Sequence, residues 1–255
     1  MYDFEDKIAL VFGGGSGIGA ATAKSLVSDG ATVVVLGRKY KKVEETAERI
    51  NVDKCIPMKC DVSCEDDVSF AIKSVEARFG KIDLLANMAG ISGQSERVEN
   101  YSFEEFKRVY EINVYGTFLT MKYCLPIMQR QKNGAIVNTC SCSGLRGYQM
   151  EIGYGSSKAA VLQMTRNAAA ENGGNGVRVN CVSPGWVDTD MLETILAQYA
   201  SCRDRGYTRS TLRNGTMNRP ATAEEVAAVV CFLLSDKAYY VNGANFKCDG
   251  GKTLG

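Results

Sequence analysis

Short apolar runs alternate with longer amphipathic segments along almost the whole of this 255-residue chain. Ala31 to Leu36 is typical of the runs because it is rich in β-branched residues, and Glu65 to Phe79 is typical of the longer segments because its apolar residues recur at helical spacing. A strand that is apolar throughout must be covered on both faces, and a helix between two such strands makes the crossover of a parallel sheet. We therefore predict an α/β fold, a doubly wound, Rossmann-type parallel sheet of about seven strands with helices on both faces.

The same periodicities place the individual elements. Strands are predicted at residues 7–12, 31–36, 55–59, 82–86, 135–139, 177–182 and 241–248, and helices at 17–28, 41–50, 65–79, 103–130, 154–171 and 223–234. The stretch 190–220 shows no regular pattern, and irregular stretches of that length usually serve as lids or binding segments. We expect a single domain over residues 1–255, with a substrate lid at 190–220 inside it.

Composition and charge exclude several classes of function. The formal net charge is +1, which does not suggest a nucleic-acid-binding surface, and no apolar run approaches the roughly 18 residues that span a bilayer. The chain has no histidine, which excludes a Ser-His-Asp triad and removes the commonest metal ligand, and its ten cysteines include no CxxC pair. Because the N-terminus is acidic rather than basic, we predict a cytoplasmic protein with reduced cysteines, no metal, no membrane or nucleic-acid partner, and a small-molecule substrate.

A glycine-rich turn follows the first predicted strand and runs directly into a predicted helix. Glycines permit positive φ angles and let the backbone approach a pyrophosphate at a helix N-terminus. A glycine cluster alone is weak evidence, but its place between a strand and a helix predicts dinucleotide binding. The predicted cofactor ligands in this turn are Gly13, Gly15, Ser16, Gly17, Ile18 and Gly19.

The end of the second predicted strand indicates which dinucleotide is bound. Gly37 stands where an acidic side chain would bind the ribose hydroxyls of NAD and repel a 2′-phosphate, and Arg38 and Lys39 follow it. A guanidinium grips a phosphate through paired, charge-assisted hydrogen bonds. The sequence therefore favours NADP over NAD, with Arg38 and Lys39 as phosphate ligands; the alternative is that both are ordinary surface charges.

Tyr154 and Lys158 are four residues apart in a predicted helix, which places them on one face about one turn apart. Free tyrosine has a pKa of about 10, and a neighbouring ammonium lowers that pKa by stabilising the phenolate. Tyr154 is then suited to donate a proton to a carbonyl or to accept one from an alcohol. Because such a pair also occurs by chance, it gains meaning only with Ser141, which ends a predicted strand thirteen residues before Tyr154.

These motifs resemble the compact branch of the short-chain dehydrogenase/reductase (SDR) family. The resemblance rests on the Gly-x3-Gly-x-Gly spacing that begins at Gly13, on the pair Tyr154 and Lys158, and on Ser141 at its distance from the tyrosine. It covers nearly the whole chain. It implies reversible hydride transfer between a nicotinamide and a secondary alcohol or ketone.

The resemblance assigns a role to each catalytic candidate. Tyr154 is the proton donor, and Lys158 lowers its pKa and binds the ribose. Ser141, in preference to its neighbour Ser143, hydrogen-bonds and polarises the substrate carbonyl. Asn113 bends the long predicted helix, binds a water and links the lysine to a proton path; the alternative is an ordinary surface asparagine.

The resemblance also extends the cofactor site to loops after later strands. One pair corresponds to the adenine contacts, one turn lies beneath the cofactor, and one segment reaches the nicotinamide. The implied ligands, beside Tyr154 and Lys158, are Asp61, Val62, Asn87, Ala89, Gly90, Pro184, Gly185, Val187 and Thr189. The resemblance further implies a homotetramer or homodimer built partly on the two long helices at 103–130 and 154–171.

Two positions depart from the family pattern. Phe12 stands where the family usually has threonine, and Met88 stands where it usually has a second asparagine. In the family these regions are joined by hydrogen bonds. The hypothesis from sequence is that direct packing of the phenylalanine against the methionine sulfur replaces that polar link.

The substrate is less constrained by the sequence. The predicted lining is largely apolar and consists of Ser92, Leu145, Gln149, Met150 and Trp186. It favours a bulky hydrophobic alcohol or ketone such as a hydroxysteroid or bile acid, and a 3-oxoacyl thioester is the main alternative. The arginines of the lid are interpreted as solvated surface in preference to ligands for a substrate anion; they are Arg203, Arg205, Arg209 and Arg213.

Three other functions are less favoured. A non-catalytic, NADP-sensing regulator would show a damaged Ser–Tyr–Lys set, and here Ser141, Tyr154 and Lys158 are all present. Enoyl reductases of the family use a longer tyrosine-to-lysine spacing. Epimerases and dehydratases of its extended branch need a larger C-terminal substrate domain than 255 residues allow.

Overall fold

A parallel β-sheet forms the centre of the computed structural model, which describes residues 2–201 and 215–254. Within those residues seven strands lie in the order β3-β2-β1-β4-β5-β6-β7, and every neighbouring pair is parallel. The strands are β1 (Ile8–Phe12), β2 (Thr32–Gly37), β3 (Cys55–Lys59), β4 (Leu84–Asn87), β5 (Gly134–Thr139), β6 (Val177–Pro184) and β7 (Asn245–Cys248).

Helices cover both faces of the sheet. One face carries α1 (Gly17–Ser28), α2 (Tyr40–Ile50) and α8 (Ala223–Leu234), and the other carries α3 (Glu65–Phe79), α5 (Gly116–Gln131) and α6 (Ile152–Asn172). Two further helices, α4 (Phe103–Tyr110) and α7 (Asp190–Ser201), lie beside the loops at the carboxyl end of the sheet. The predicted doubly wound α/β fold is confirmed.

The first strand shows why the apolar runs are continuous. All five of its residues are buried, and they alternate between two hydrophobic clusters. Ala9 and Val11 belong to the cluster beneath α1, α2 and α8, whereas Leu10 and Phe12 belong to the cluster beneath α3, α5 and α6. Successive strand residues point to opposite faces, so a sheet covered on both sides needs apolar residues at every position.

Most predicted boundaries lie within one or two residues of the observed ones, but the last strand begins at Asn245 instead of residue 241. The residues before it form a turn, in which Gly243 has a φ of 72°. Side chains tie this turn to β6: Asn242 Oδ1 accepts the amide of Val179 at 2.9 Å, and the carbonyl of Val241 accepts Asn180 Nδ2 at 2.8 Å. These side-chain bonds replace the ladder bonds that a longer strand would make.

The long helix predicted at 103–130 is interrupted. Between α4 and α5 the backbone of Glu111–Tyr115 forms a π-helical turn with Asn113 at its centre. The hydroxyl of Thr117 donates to the carbonyl oxygen of Asn113 at 2.8 Å. Single π-turns of this kind mark positions where a helix is deformed for a local contact, and they are frequent at functional sites.

The prediction that 190–220 is irregular is wrong for its first part, which forms α7. Leu192, Leu196 and Tyr199 recur at helical spacing and are buried, and the two leucines pack against Trp186. This short amphipathic repeat is the signal that the sequence interpretation missed. The four arginines of the predicted lid fall in 202–214, outside the described residues. In the described part of the chain, no helix combines the length and apolarity that a bilayer crossing requires.

Candidate active site

A cleft opens at the carboxyl end of the sheet, where the strand order reverses between β1 and β4. The loops on either side of such a switch point diverge, and ligands of doubly wound proteins bind in the crevice between them. The cavity has a volume of about 260 Å³. The glycine turn, the ends of β4, β5 and β6, the start of α6, and α7 supply its wall, together with Lys252 near the C-terminus.

The glycine turn leaves the N-terminus of α1 open to the cavity. Ser16 is the N-cap residue, but its side chain caps no amide, and the first turn holds no acidic residue. Gly13 has a φ of 78°, and a Cβ there would lie 2.6 Å from the amide nitrogen of Ala89, while a Cβ on Gly19 would collide with the carbonyl of Gly13. Free helix amides and closely approaching backbones fit the pyrophosphate of a dinucleotide.

The hydroxyl groups of Ser141 and Tyr154 lie close to each other on the cavity wall. Ser141 follows β5 with an extended backbone, and its Oγ accepts the amide of Ser143 at 3.2 Å. Tyr154 lies in the first turn of α6. The strand end and the helix start therefore bring together two hydroxyls that are thirteen residues apart in the sequence.

Lys158 lies one turn after Tyr154 on α6 and is only 3% exposed. Its Nζ donates to the carbonyl of Thr139 at 2.8 Å and lies 5.7 Å from the centroid of the Tyr154 ring. Within residues 2–201 and 215–254 no carboxylate forms an ion pair with it. Burial lowers the pKa of Lys158 to about 8, because a desolvated ammonium is less stable than a hydrated one.

The pKa of Tyr154 is raised well above its ordinary value in the protein without cofactor. Burial is the main cause; the hydrogen bond from Ser141 lowers the pKa, and the negative charge of Glu151 raises it. The net direction is the reverse of the sequence expectation, in which Lys158 lowers this pKa. Burial disfavours the phenolate, and this effect exceeds the lowering of the pKa by Ser141.

Asn113 is fully buried and fixes the loop after β4. Its Oδ1 accepts the amide of Ile91 at 2.9 Å, and its Nδ2 donates to the carbonyl of Ile91 at 2.9 Å and to Ser157 Oγ at 3.0 Å. Ser157 precedes Lys158 on α6, so one amide side chain joins the π-turn, this loop and the lysine-bearing helix. A surface position for Asn113, the alternative from sequence, is wrong.

The cavity collects most of the predicted cofactor residues. Those on its wall are Gly13, Ser16, Gly17, Ile18, Gly19, Ala89, Gly90, Tyr154, Lys158, Pro184, Gly185, Val187 and Thr189. The others lie beside it. Arg38 and Lys39 are exposed at the end of β2, the Asp61 carboxylate accepts the amide and hydroxyl of Ser63, and Val62 faces Gly116.

Two more predicted cofactor residues lie off the cavity wall. Gly15 faces α2, where a Cβ would lie 3.2 Å from that of Lys42. Asn87, at the end of β4, is buried and donates from Nδ2 to Asn138 Oδ1 at 2.8 Å. Gly15 and Asn87 therefore pack behind the residues of the cavity wall and do not face the open cavity.

Some of the predicted substrate residues lie on the cavity wall and others do not. Ser92, Met150 and Trp186 line the cavity, and Gln149 lies just before it in the chain but is not on its wall. Leu145 is misplaced by the sequence interpretation: it packs against the small cluster of Cys140, Leu162 and Cys181 beneath the site. Sequence reasoning missed several wall residues, of which the polar and aromatic ones are Ser95, Thr139, Cys140, Cys142, Ser143, Glu151, Asp190, Tyr199 and Lys252.

Lys252 is brought to the site by the C-terminal segment. Its Nζ lies 4.1 Å from a ring centroid of Trp186 and 4.7 Å from that of Tyr148. An ammonium over an aromatic face is attracted by the ring's quadrupole. No sequence motif marks this residue. It lies 66 residues after Trp186 in the chain, and the turn that follows β7 brings the two side chains together.

The described cysteines are free thiols in the structure, and most are buried. Burial raises the pKa of Cys55 to about 11 and that of Cys60 to about 12. In residues 2–201 and 215–254, no group of three or more His, Cys, Asp or Glu side chains is arranged to bind a metal ion.

The hypothesis that Phe12 packs directly against Met88 is wrong. The backbones are joined, because the amide of Met88 donates to the carbonyl of Phe12 at 2.9 Å, but the side chains point to opposite faces of the sheet. Phe12 belongs to the cluster beneath α3, α5 and α6, and Met88 packs against the cluster on the other face. The methionine sulfur instead accepts the hydroxyl of Thr139 at 3.1 Å.

This placement predicts that Phe12→Thr and Met88→Asn act independently. Phe12→Thr empties space in a fully buried position and should lower the free energy of unfolding by about 3 kcal/mol or more. The double variant should show the sum of the two single effects to within about 0.5 kcal/mol. Denaturant unfolding of the four proteins measures this. A coupling above about 1 kcal/mol would instead indicate that the two side chains share a contact.

Comparison with known proteins agrees with this architecture. A family model described as enoyl-(acyl carrier protein) reductase matches residues 13–253. Levodione reductase of Leifsonia aquatica is 37% identical over 257 residues, which cover 98% of this chain and 95% of that protein. The crystal structure of levodione reductase superposes with a TM-score of 0.92 over 98% of this chain and 99% of the other, at 36% identity. NAD⁺-bound xylitol dehydrogenase superposes with a TM-score of 0.93 at 32% identity, over 97% of this chain and 99% of the other.

A doubly wound sheet, an open helix N-terminus beside a glycine turn, and a serine–tyrosine–lysine set on one cavity wall define an NAD(P)-dependent alcohol/ketone oxidoreductase. The chain belongs to the short-chain dehydrogenase/reductase family.

Proposed function

We propose that this protein is an NADP-dependent oxidoreductase that interconverts a bulky hydrophobic ketone and its secondary alcohol. The observation that carries the proposal is the convergence of Ser141, Tyr154 and Lys158 on a cavity whose other end is the glycine turn. The cofactor, when bound, supplies or accepts the hydride at its nicotinamide. The chain's own residues then have to orient the carbonyl and deliver one proton.

The hydroxyls of Ser141 and Tyr154 together form the site for the carbonyl oxygen. Both are donors, they lie close together, and an oxygen placed between them accepts two hydrogen bonds. In the reducing direction Tyr154 transfers its proton to that oxygen, and its raised pKa keeps the proton in place until negative charge develops there. In the oxidising direction the tyrosine accepts the alcohol proton.

Lys158 and Asn113 support this transfer. The Lys158 ammonium is near enough to the Tyr154 ring to stabilise a phenolate as it forms, and it faces the same cavity for contact with a ribose. Asn113 holds the loop after β4 against α6, which fixes the lysine's surroundings. A proton path from the lysine through the region of Asn113 is part of this proposal.

The preference for NADP rests on charge at the end of β2. Arg38 and Lys39 are exposed there and Gly37 carries no acid, so a 2′-phosphate meets two cations and no carboxylate from this turn. Two solved relatives, xylitol dehydrogenase and a 3-ketoacyl-(acyl-carrier-protein) reductase of Brucella melitensis, are named as bound to NAD⁺ and NADH. The choice of dinucleotide therefore depends on this chain's own β2 turn.

Arg38→Asp should reverse the cofactor preference. The variant loses a phosphate ligand and gains a charge that repels the 2′-phosphate, so the ratio of kcat/KM for NADPH to that for NADH should fall at least tenfold. Lys41→Asp, a charge change at the start of α2, is the matched control and should change the ratio much less. An unchanged ratio in Arg38→Asp contradicts the assignment of NADP.

The substrate proposal rests on the apolar part of the wall, in particular Met150, Trp186 and, from α7, Leu192 and Ile195. Curated relatives that are 35–37% identical are named for levodione, borneol and 2,5-dichloro-2,5-cyclohexadiene-1,4-diol, which supports a cyclic alcohol or ketone. Among cyclic alcohols and ketones, we propose a hydroxysteroid or bile acid as the substrate, which is larger than the compounds for which these relatives are named. A 3-oxoacyl thioester is the second candidate, supported by the 3-ketoacyl-(acyl-carrier-protein) reductase neighbour, which has a TM-score of 0.91.

A substrate panel tests these proposals. Cyclic ketones, steroid ketones, bile-acid ketones and 3-oxoacyl thioesters, with the corresponding alcohols, are assayed with NADPH or NADP⁺ by nicotinamide absorbance. Turnover of the cyclic compounds above the thioesters supports the first candidate. The family model is described as an enoyl reductase, so an enoyl thioester belongs in the panel; the four-residue gap from Tyr154 to Lys158 favours carbonyl reduction. Cofactor binding without turnover of any compound would favour the NADP-sensing regulator.

We also propose a homotetramer or homodimer, in the cytoplasm. Large apolar side chains remain exposed on the first of the two long helical segments, 103–130: Phe103 is 70% exposed, Tyr115 54% and Phe118 48%. Covering such side chains against a second copy of the chain would remove them from water.

A further inference from the structure

Glu151 places a carboxylate on the cavity wall that the proposed reaction does not use. It lies three residues before Tyr154 and immediately before α6. Its Oε1 accepts the hydroxyl of Tyr199, from α7, at 3.3 Å. Its Oε2 is buried and has no hydrogen-bond partner among the residues that the structure describes.

An unpaired buried carboxylate oxygen is costly. Desolvating it without a donor is unfavourable, and such groups are few in native proteins. An arrangement of this kind is expected where a ligand completes the hydrogen bonding. Since Glu151 lines the same cavity as Tyr154, the missing donor belongs to a molecule bound there.

The backbone beside Glu151 supports this interpretation. Met150, which also lines the cavity, has a φ of 65°, a left-handed conformation that residues other than glycine rarely adopt. The backbone of Glu151 is bridged to that of Glu96, and its carbonyl accepts the amide of Gly155 at 2.7 Å. Strained conformations persist where the surrounding structure holds them, and they cluster at ligand sites.

The carboxylate is also close to the reacting hydroxyl. Glu151 and Tyr154 lie three residues apart and line the same cavity, and the negative charge of Glu151 raises the pKa of Tyr154. A substrate whose carbonyl lies at Tyr154 therefore shares this cavity with the Glu151 carboxylate.

We propose that Glu151 is a specificity-determining residue that accepts a hydrogen bond from a second hydroxyl group of the substrate. The enzyme then prefers a diol or hydroxyketone to the corresponding compound with one functional group. A carboxylate accepts hydrogen bonds and donates none, which selects a hydroxyl in preference to a second carbonyl. Its charge also disfavours a substrate carboxylate. The inference rests on the proposed alcohol/ketone activity.

The test compares three six-membered ketones of similar size: cyclohexanone, 4-hydroxycyclohexanone and 4-oxocyclohexanecarboxylate. Wild-type kcat/KM should be about tenfold higher for the hydroxyketone than for cyclohexanone. Glu151→Gln removes the charge at nearly constant shape and should reduce that ratio about tenfold, mainly through KM. The same variant should raise the relative kcat/KM for the anionic ketone. Dividing each kcat/KM by the value for cyclohexanone in the same variant cancels any effect of the substitution on Tyr154 that is common to all three ketones.

Two further variants keep the test decisive. Glu96→Gln removes a neighbouring carboxylate that lies off the cavity wall and should leave both ratios unchanged. Glu151→Asp keeps the charge but withdraws it by one methylene, so it should lower the hydroxyketone ratio as Glu151→Gln does. Thermal unfolding verifies that each variant is folded.

The outcomes separate this inference from the proposed function. If wild type reduces the ketones but the hydroxyketone ratio is unchanged in both Glu151 variants, the inference is overturned and the proposed function stands. If wild type reduces none of the three ketones and none of the larger panel, the proposed function fails, and the inference fails with it.

Discussion

Tyr154→Phe should lower kcat for carbonyl reduction by at least about a hundredfold and leave cofactor binding nearly unchanged. The variant removes the hydroxyl that both polarises the carbonyl and delivers its proton. The ring remains, and with it the packing of the first turn of α6. Because the cofactor is held mainly by backbone groups of the glycine turn, its dissociation constant should change less than threefold or so.

The chain offers a close control for this substitution. Tyr110 stacks on Phe106 with ring centroids 4.8 Å apart, away from the cavity wall. Tyr110→Phe should therefore retain wild-type turnover. Steady-state rates at saturating NADPH, with nucleotide binding measured by fluorescence, separate the two quantities. Full turnover by folded Tyr154→Phe would show that another group delivers the proton.

Ser141→Ala supplies an independent check on the same step. It leaves Tyr154 in place and removes only the second donor to the carbonyl oxygen, as well as the hydrogen bond that lowers the pKa of the tyrosine. Its effect on kcat should be of the size found when one donor of such a site is lost, about 10²–10³. The double variant should be far from additive, since both hydroxyls serve one oxygen.

The fold was predictable because its signals are local and repeated. A strand buried on both faces, such as β1, needs an apolar residue at every position, and such a run is recognisable from the sequence alone. The strand–turn–helix at Gly13 to Gly19 was predictable for a similar reason, since positive φ and close backbone approach both require glycine there.

The parts that sequence reasoning missed depend on contacts between distant segments. Glu151 contacts Tyr199 of α7, which lies 48 residues later in the chain, and Lys252 reaches the cavity from a segment that is more distant still. The side-chain directions of Phe12 and Met88 could not be read from their adjacency in the family pattern, because neighbouring strands can share a backbone bond while their side chains face opposite layers.

The pKa of Tyr154 could not be predicted from the sequence either, because it depends on burial. The spacing of Tyr154 and Lys158 predicts attraction between phenolate and ammonium, and the structure does place the two side chains close together, with Lys158 Nζ 5.7 Å from the centroid of the Tyr154 ring. The spacing contains no information on burial, which raises the first pKa and lowers the second. The size of the desolvation penalty is a property of the whole cavity.

Lys158→Met should abolish most activity while making the cofactor-free protein more stable to heat at neutral pH. The folded protein buries an ammonium with no carboxylate beside it among the described residues, and burial lowers its pKa from 10.5 to about 8. At pH 7 the lysine is therefore held in its charged form against the preference of its surroundings. Methionine fills a similar volume without charge, so the melting temperature should rise by roughly 2–4 °C.

The pH dependence gives the sign of this effect. A lysine whose pKa is lower in the folded state than in the unfolded state destabilises the fold most below pH 8, and the penalty disappears as pH rises from about 8 to 10.5. The stability gained in Lys158→Met should accordingly be largest at pH 7 and shrink across that window. The hydrogen bond to the Thr139 carbonyl is lost, but Thr139 lines the cavity, so water can replace the ammonium there.

Lys73→Met, an exposed substitution on α3, is the matched control and should change neither the melting temperature nor the rate appreciably. Differential scanning calorimetry of cofactor-free protein between pH 7 and 10, beside steady-state rates at pH 7, measures both effects. A melting temperature that falls by several degrees in Lys158→Met at pH 7 would mean that the lysine stabilises the fold. The expected result, higher stability with at least about a hundredfold lower kcat/KM, would mean that the buried charge is retained for the reaction it supports.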